Sequence, residues 1–237
     1  MKRIYLPLID IKDNQIILTD SYFINYIKNV LRFKLKDEIV ILSTNFNYIT
    51  EIIELSKKNI KFNISKIEPV KKIDKEVILI QSIFKWDRFE WMLEKLVEVG
   101  VDKIIPVITN RTTTKINNWE KKLKRFEKII YKALTQSRQN IMPIIEEPIK
   151  LTNLEIDSEI DKIFFDTKDG IEIFDENILL EKKKIAVFIG PEGGIDNDER
   201  EFLKKYDFKQ FKLNLPILRA ETAAIISVAQ INMRLNK

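Results

Sequence analysis

Ile185-Ala186-Val187-Phe188-Ile189-Gly190-Pro191-Glu192-Gly193-Gly194 is the stretch whose reading decides the fold. Its first half is a short, continuous apolar run of the kind that forms a buried parallel strand. Its second half holds three of the five glycines in the 237-residue chain. Glycine reaches positive φ at no steric cost and lets a ligand come close to the backbone. Just beyond, Asp196 and Glu199 have capping-box spacing for a helix through Lys205. Strand, glycine turn and helix together make the unit of an open α/β sheet, where ligands bind at the carboxyl ends of strands. The turn is not a dinucleotide fingerprint, which needs G-x-G-x-x-G, nor a phosphate loop, which needs G-K-[ST]. A tight turn with no ligand is the alternative.

Working outward, the same rhythm continues. Val77 to Ile83, Lys103 to Ile108, Ile163 to Phe165 and Gln210 to Asn214 read as strands. Asp87 is a candidate cap for a helix with Phe89, Met92, Leu93, Leu96 and Val97 on one face, and Gly100 closes it as a left-handed residue. Trp119 to Gln139 and Arg219 to Leu235 are predicted helices. The N-terminal part has another pattern. Ile4 to Pro7, Glu38 to Leu42, Tyr48 to Leu55 and Ile60 to Ile67 are strand-like, with a turn at Ser56 to Asn59 and a short helix over Tyr22 to Leu31. Pro69 to Lys75 reads as an exit linker. Two domains are expected, 1–70 and 71–237.

Composition removes several function classes. The chain has no cysteine and no histidine, which excludes a disulfide framework, thiolate zinc sites and a Ser-His-Asp triad. No metal is expected. A formal charge of +5 suits a polyanionic partner, although abundant Lys alongside Ile and Asn also fits an AT-rich coding bias. Met1 to Asp10 lacks the apolar stretch of a signal peptide, and no run is long enough to span a bilayer. A cytoplasmic protein without membrane contact is expected.

The second informative junction is Leu213-Asn214-Leu215-Pro216-Ile217-Leu218-Arg219-Ala220-Glu221-Thr222-Ala223-Ala224. Arg219, Glu221 and Thr222 crowd the start of a helix that is otherwise small and apolar. A capped core helix is one reading; a site is the other. Together with Ile189 to Gly194, the segment Leu218-Arg-Ala-Glu-Thr-Ala223 resembles the RsmE family of 16S ribosomal RNA uridine-N3 methyltransferases. Lys95-Leu-Val-Glu98-Val-Gly100-Val101, Ile105-Pro106 through Asn110-Arg111-Thr112, Ala133 through Gln136-Ser137-Arg138 to Pro143, and Asn29-Val30-Leu31-Arg32 match that family's further motifs in order. Tyr26 stands where the family usually has His, Ser43 to Asn47 replaces its early Gly-bearing turn, and one residue is missing before Arg138.

The resemblance implies a SPOUT-type parallel sheet with a C-terminal trefoil knot, preceded by a small PUA-like β-barrel domain, in a homodimer. The knot follows from the resemblance alone, since chain connections rarely thread. It implies S-adenosyl-L-methionine as cofactor, held by the loop after Phe165, by Gly190, Glu192, Gly193 and Gly194, and by Leu213, Leu215, Ile217, Leu218, Thr222 and Ala223. Apolar side chains there suit a cofactor pocket and a core equally. The implied reaction is methylation of uracil N3 in 16S ribosomal RNA of the small subunit. Its N3 proton must leave, and the charge spreads to the flanking carbonyls. Arg219 is the candidate to stabilise that charge and Glu221 the candidate proton acceptor. Arg32, Arg111 and Arg138 match the family pattern for RNA binding. The Lys-rich face of the long helix is a further candidate that reads equally as a solvated face, and Tyr22, Phe23 and Tyr26 are candidate stacking groups for which packing of the module is the favoured reading. Alternatives are a SPOUT enzyme acting on a ribose 2′-hydroxyl and a non-catalytic RNA-binding assembly protein.

Overall fold

The computed structural model describes residues 2–71, 74–168, 172–174 and 182–235. The chain forms two compact units. Met1–Lys72 joins Tyr131–Met142 in the first, and Ile73–Ile130 joins Pro143–Lys237 in the second. The sequence reading placed a break near residue 70 and did not assign 131–142 to the first unit. The helical pattern runs through residue 131 without punctuation, so nothing in it marks the change. Of the expected linker, residues 72 and 73 lie outside the described residues.

In the first unit, strands β1 (Lys2–Tyr5), β2 (Ile11–Lys12), β3 (Gln15–Leu18), β4 (Glu38–Leu42), β5 (Phe46–Leu55) and β6 (Ile60–Pro69) form one sheet in the order β1-β4-β5-β6-β3-β2. Every pairing is antiparallel except β1 with β4. Alternation puts Ile39 and Ile41, Tyr48 and Ile52, and Ile60, Phe62 and Ile64 into the core. The β2–β3 hairpin, absent from the sequence reading, turns on Asp13 and Asn14, both at positive φ (51° and 60°). Asp and Asn are the side chains that tolerate this conformation. Helix α1 (Ser21–Asn25) is capped by Asp20, whose Oδ1 accepts from the N–H of Tyr22 at 2.7 Å, and it runs on as a π-helical turn over Tyr26–Val30. Phe23 and Tyr26 are buried in this core, and Tyr26 stacks on Tyr22 (6.2 Å, 4°), so these rings pack the module. Segment 131–142 completes the same core. The Tyr131 ring lies 5.3 Å from Phe23, the N–H of Tyr5 donates to Thr135 Oγ1 at 3.0 Å, and Asn140 Nδ2 donates to Ser43 O and Asn47 Oδ1.

The second unit contains β7 (Glu76–Ser82), α2 (Trp86–Val99), β8 (Lys103–Ile108), most of α3 (Trp119–Ser137), β9 (Ile144–Ile145), β10 (Ile149–Lys150), β11 (Asp161–Phe165), β12 (Ile173–Phe174), β13 (Lys184–Ile189), α4 (Asn197–Lys205), β14 (Lys209–Leu213) and α5 (Ala220–Leu235). Its sheet runs β10-β8-β7-β13-β11-β14-β12, with β9 against β8, and all pairs are parallel. Continuous burial of β7 and β13 reflects cover on both faces. On one face Ile78, Ile80, Phe164, Ala186 and Phe188 pack with Leu203 and Phe208. On the other, α5 crosses β7 and β13 and packs on α2. Asn232 fastens that contact by donating from Nδ2 to the carbonyls of Val99 (3.0 Å) and Gly100 (2.6 Å). Gly100 ends α2 at φ 91°, as predicted. The predicted cap does not form. Lys85 holds the cap position without a side-chain bond, and Asp87 falls inside the first turn, where its charge favours the helix dipole. Asp196 and Glu199 do form the predicted capping box. No described helix is long and apolar enough to cross a membrane. Of the stretch in which the trefoil knot is expected, residues 169–171 and 175–181 lie outside the described residues.

Candidate active site

The carboxyl ends of β11, β13 and β14 lie side by side, and a cleft of about 690 Å³ opens beyond them. From β13 the chain passes over β11 through α4 to reach β14, whereas from β7 it turns the other way to β8. That divergence falls between β7 and β13, and the cleft sits beside it; what it shares with the ligand crevices of open parallel sheets is its place at the carboxyl ends of the strands. Three loops line it. Phe165 ends β11 and Asp166 and Thr167 follow it; Gly190 to Ile195 follow β13; Lys212 and Leu213 end β14, Leu215 to Arg219 follow, and Ala220 and Ala223 belong to α5. The part of the β11 loop at 169–171 lies outside the described residues.

Sequence explains the glycines locally. A Cβ on Gly190 would stand 2.6 Å from Ile195 Cγ1, and Ile195 is buried. Gly194 adopts φ 76° and its N–H closes a turn on Pro191 O at 2.9 Å. Two arginines brace this loop. Arg111 Nη1 donates to Gly193 O, and Arg88, from the first turn of α2, forms an ion pair with Glu192. The loop that carries Arg111 is itself tied down. The N–H of Asn110 donates to Glu199 Oε1 and its Nδ2 to Asp196 Oδ2, each at 2.7 Å. Ser82, Thr109 and Thr112 share hydroxyl hydrogen bonds of 2.8 to 3.3 Å behind it.

At the floor of the cleft Asp166 is 8% exposed. Its Oδ2 accepts from Arg200 Nε of α4 (2.5 Å) and Gln210 Nε2 of β14 (3.1 Å), and its Oδ1 accepts from the N–H of Thr167 (2.7 Å). Burial alone would raise this carboxyl, but the bonds from Arg200 and the backbone outweigh it and hold Asp166 below the ordinary aspartate range. One carboxylate thus ties the start of the β11 loop to α4 and to β14.

The structure brings Phe165, Gly190, Glu192, Gly193, Gly194, Leu213, Leu215, Ile217, Leu218, Arg219 and Ala223 to the cleft. Leu215 and Ile217 are exposed, Ile217 at 88%, as core leucines and isoleucines are not. Arg219 is exposed and its side chain has no hydrogen bond or ion pair among the described residues. Thr222 and Glu221 do not line the cleft. Glu221 is 5% exposed, forms no ion pair with Arg219, and its Oε2 has no partner among the described residues. Arg32 and Arg138 belong to the first unit. Both are exposed and both take left-handed φ (55° and 62°) at the ends of helical segments. That conformation costs an L-residue roughly 1–2 kcal/mol where glycine would cost nothing. Arg88 and Lys212 line the cleft without having been singled out, and Asp166 and Thr167 begin the loop after Phe165 that was expected there. Asp166 had a signal, a carboxylate directly after a buried strand.

Apolar walls from Leu213 to Leu218 and Ala223, with backbone exposed along an irregular loop, fit a nucleoside. They do not fit a triphosphate, for which the glycine loop lacks a lysine. Residues 71–232 match the family described as an RNA methyltransferase domain, and residues 24–65 match an RNA methyltransferase PUA domain. The chain is 32% identical over 232 residues to ribosomal RNA small subunit methyltransferase E 2 of Borreliella burgdorferi, covering 97% of this chain and 96% of that one. To the methyltransferase E of Buchnera aphidicola (from Acyrthosiphon pisum) it is 33% identical over 240 residues, covering 94% and 91%. The crystal structure of a ribosomal RNA small subunit methyltransferase E from Neisseria gonorrhoeae, bound to S-adenosyl methionine, superposes with a TM-score of 0.86 at 26% identity, over 98% of this chain and 97% of that one. A Legionella pneumophila putative methyltransferase with bound S-adenosyl methionine gives 0.87 at 25% identity, over 98% and 96%.

Proposed function

We propose, from the premise that this chain belongs to the ribosomal RNA small subunit methyltransferase E family, that it transfers a methyl group from S-adenosyl-L-methionine to 16S ribosomal RNA, at N3 of a uridine. The observation that carries this reading is the cleft at the carboxyl ends of β11, β13 and β14, walled by the two motifs that mark the family. When bound there, S-adenosylmethionine supplies a sulfonium-activated methyl group. Residues 190–194 and 213–218 hold it through backbone groups and apolar contacts, with Phe165 and Ala223 as further walls. The trefoil knot belongs to the same reading.

Arg219 is the chain's contribution to the chemistry. Its guanidinium stands free at the cleft, so it can meet the uracil carbonyls as the N3 proton leaves and negative charge spreads onto them. Glu221 is put forward as the proton acceptor on the ground of its unpartnered Oε2. It stands back from the cleft here, and catalytic hydrogen bonds often tighten only once substrate is bound. Glu221→Gln keeps the shape and removes the basicity. Arg32, Arg111 and Arg138 are assigned to the RNA. Much of the rate then comes from alignment of two bound reactants. We read the enzyme as a homodimer in the cytoplasm. Ile225, Ile226 and Ala229 are half-exposed on α5 and Met233 is exposed, an apolar surface suited to a second copy.

The test is methyl transfer from labelled S-adenosylmethionine to purified small ribosomal subunits, with mass mapping of the modified nucleoside. Label recovered as N3-methyluridine at one position is the expected result. Label on another nucleoside refutes the uridine-N3 assignment, and no label together with no cofactor binding refutes the enzyme reading.

A further inference from the structure

Within the second unit, a groove of about 420 Å³ separates the first turns of α2 and α3 from the segment 113–118. Lys115, Lys121, Lys122 and Arg125 line it, against one carboxylate, Glu90. Two of these cations are already engaged. Arg125 Nη2 bonds Glu90 Oε2 at 2.6 Å, and Lys122 Nζ lies 4.3 Å over the Trp86 ring. Lys115 and Lys121 are exposed and their side chains have no hydrogen bond or ion pair among the described residues. Asn117 and Asn118 add amide donors along the same wall. The groove therefore holds a surplus of positive charge on a rigid base, since Trp86 packs on Phe89, Trp119 and Phe126 and its indole N–H donates to Lys115 O at 3.2 Å. That hydrogen bond fixes the backbone of the lysine that most needs to be held.

We propose that this groove is a second RNA contact, which takes backbone phosphates of the substrate outside the methyl-transfer cleft; the inference rests on the RNA reading above. Continuity with the cleft favours RNA over an unrelated anion. Trp86 and Arg88 share the first turn of α2, two residues apart and so on nearly opposite sides of the helix, one facing the groove and the other the cleft. Arg111, which bonds the glycine loop, and Lys115 lie on one connection between β8 and α3. A helix with its side chains is about 10–12 Å across, so an RNA strand leaving the cleft meets these lysines within a few nucleotides. Lysines that contact phosphate release condensed counterions and leave a signature in salt dependence.

The experiment measures binding of the whole protein to purified small ribosomal subunits over a series of potassium chloride concentrations. It compares wild type, the double variant Lys115→Gln/Lys121→Gln, and a charge-matched control, Lys205→Gln/Lys209→Gln, whose residues are exposed, lie off the long helix and line neither cavity. The groove variant is expected to bind more weakly. Its slope of log K against log salt should flatten by about 0.7 per lysine on single-stranded RNA, about 1.4 for the pair. Affinity for S-adenosylmethionine should be unchanged, and the control should match wild type. An unchanged slope in the groove variant, or an equal loss in the control, overturns the groove assignment while wild-type methylation stands. A wild type that neither binds nor methylates the subunits overturns the RNA reading itself.

Discussion

Asp166→Asn is the substitution whose effect follows most directly from the geometry. The Asp166 side chain is 4% exposed and that of Arg200 15%. Removing one member of a buried ion pair typically costs about 3–5 kcal/mol, because the other charge is stranded. Arg200 is not wholly stranded here, since its Nη1 also bonds Asn197 Oδ1 at 3.0 Å, and an asparagine oxygen keeps one acceptor. A cost of about 2–3 kcal/mol is therefore expected. For a unit of this size, at roughly 2–4 °C per kcal/mol, the melting temperature should fall by about 5–10 °C. The pH dependence has a defined sign. The folded-state pKa of Asp166 lies below its unfolded value, so its contribution is fully present above the unfolded value, near 3.9, and is lost as pH falls through the folded value. Wild type and variant should thus differ at neutral pH and converge in acid. Scanning calorimetry from neutral to acid pH is the assay. A shift of less than about 2 °C at neutral pH, or a gap that persists in acid, would refute the role given to this carboxylate.

Other substitutions probe separate parts of the same unit. Gly190→Ala puts a Cβ against buried Ile195 and should cost about 1–3 kcal/mol by overpacking, read as a fall in denaturant midpoint. Gly193→Val should abolish cofactor binding in calorimetric titration; retained affinity would make the loop a turn only. Arg219→Ala should eliminate methyl transfer with an unchanged melting temperature, because the side chain is exposed and unpartnered. Asn232→Leu removes the bonds to Val99 and Gly100 and leaves their carbonyls unmet, at about 2–3 kcal/mol, so native-state hydrogen exchange around α5 should accelerate.

The second unit was legible because its strands are continuous apolar runs and its turns are marked by glycine or capping residues. Glu199 beside Asp196 and Gly100 after Val99 carry their conformation in their chemistry. Asp87 misled, since an acidic residue near a helix start suits either the cap or the first turn, and only the backbone at Lys85 decides. Of the cleft, the glycines and the Leu213 to Ala223 segment were legible as breaks in pattern. Arg88, Arg200 and the pairing of Asp166 were not, because their significance lies in partners 34 to 104 residues away. The same holds for Glu221, whose position in the sequence suggested a cleft residue and whose side chain turns inward. The Asp13-Asn14 hairpin was readable in principle, as both types tolerate left-handed backbone.

The first unit is discontinuous in sequence, and this bears on how the chain can be made. It needs residues 131–142 to cover Phe23 and to meet the Tyr5 backbone. During translation at about 5–20 residues per second, the strands up to residue 72 emerge about 4–14 s before the last of that segment. For that interval an apolar face stands open to chaperones or to wrong partners. A fragment cut at the apparent boundary should inherit the same defect permanently, so the module cannot be transplanted as one contiguous piece of gene.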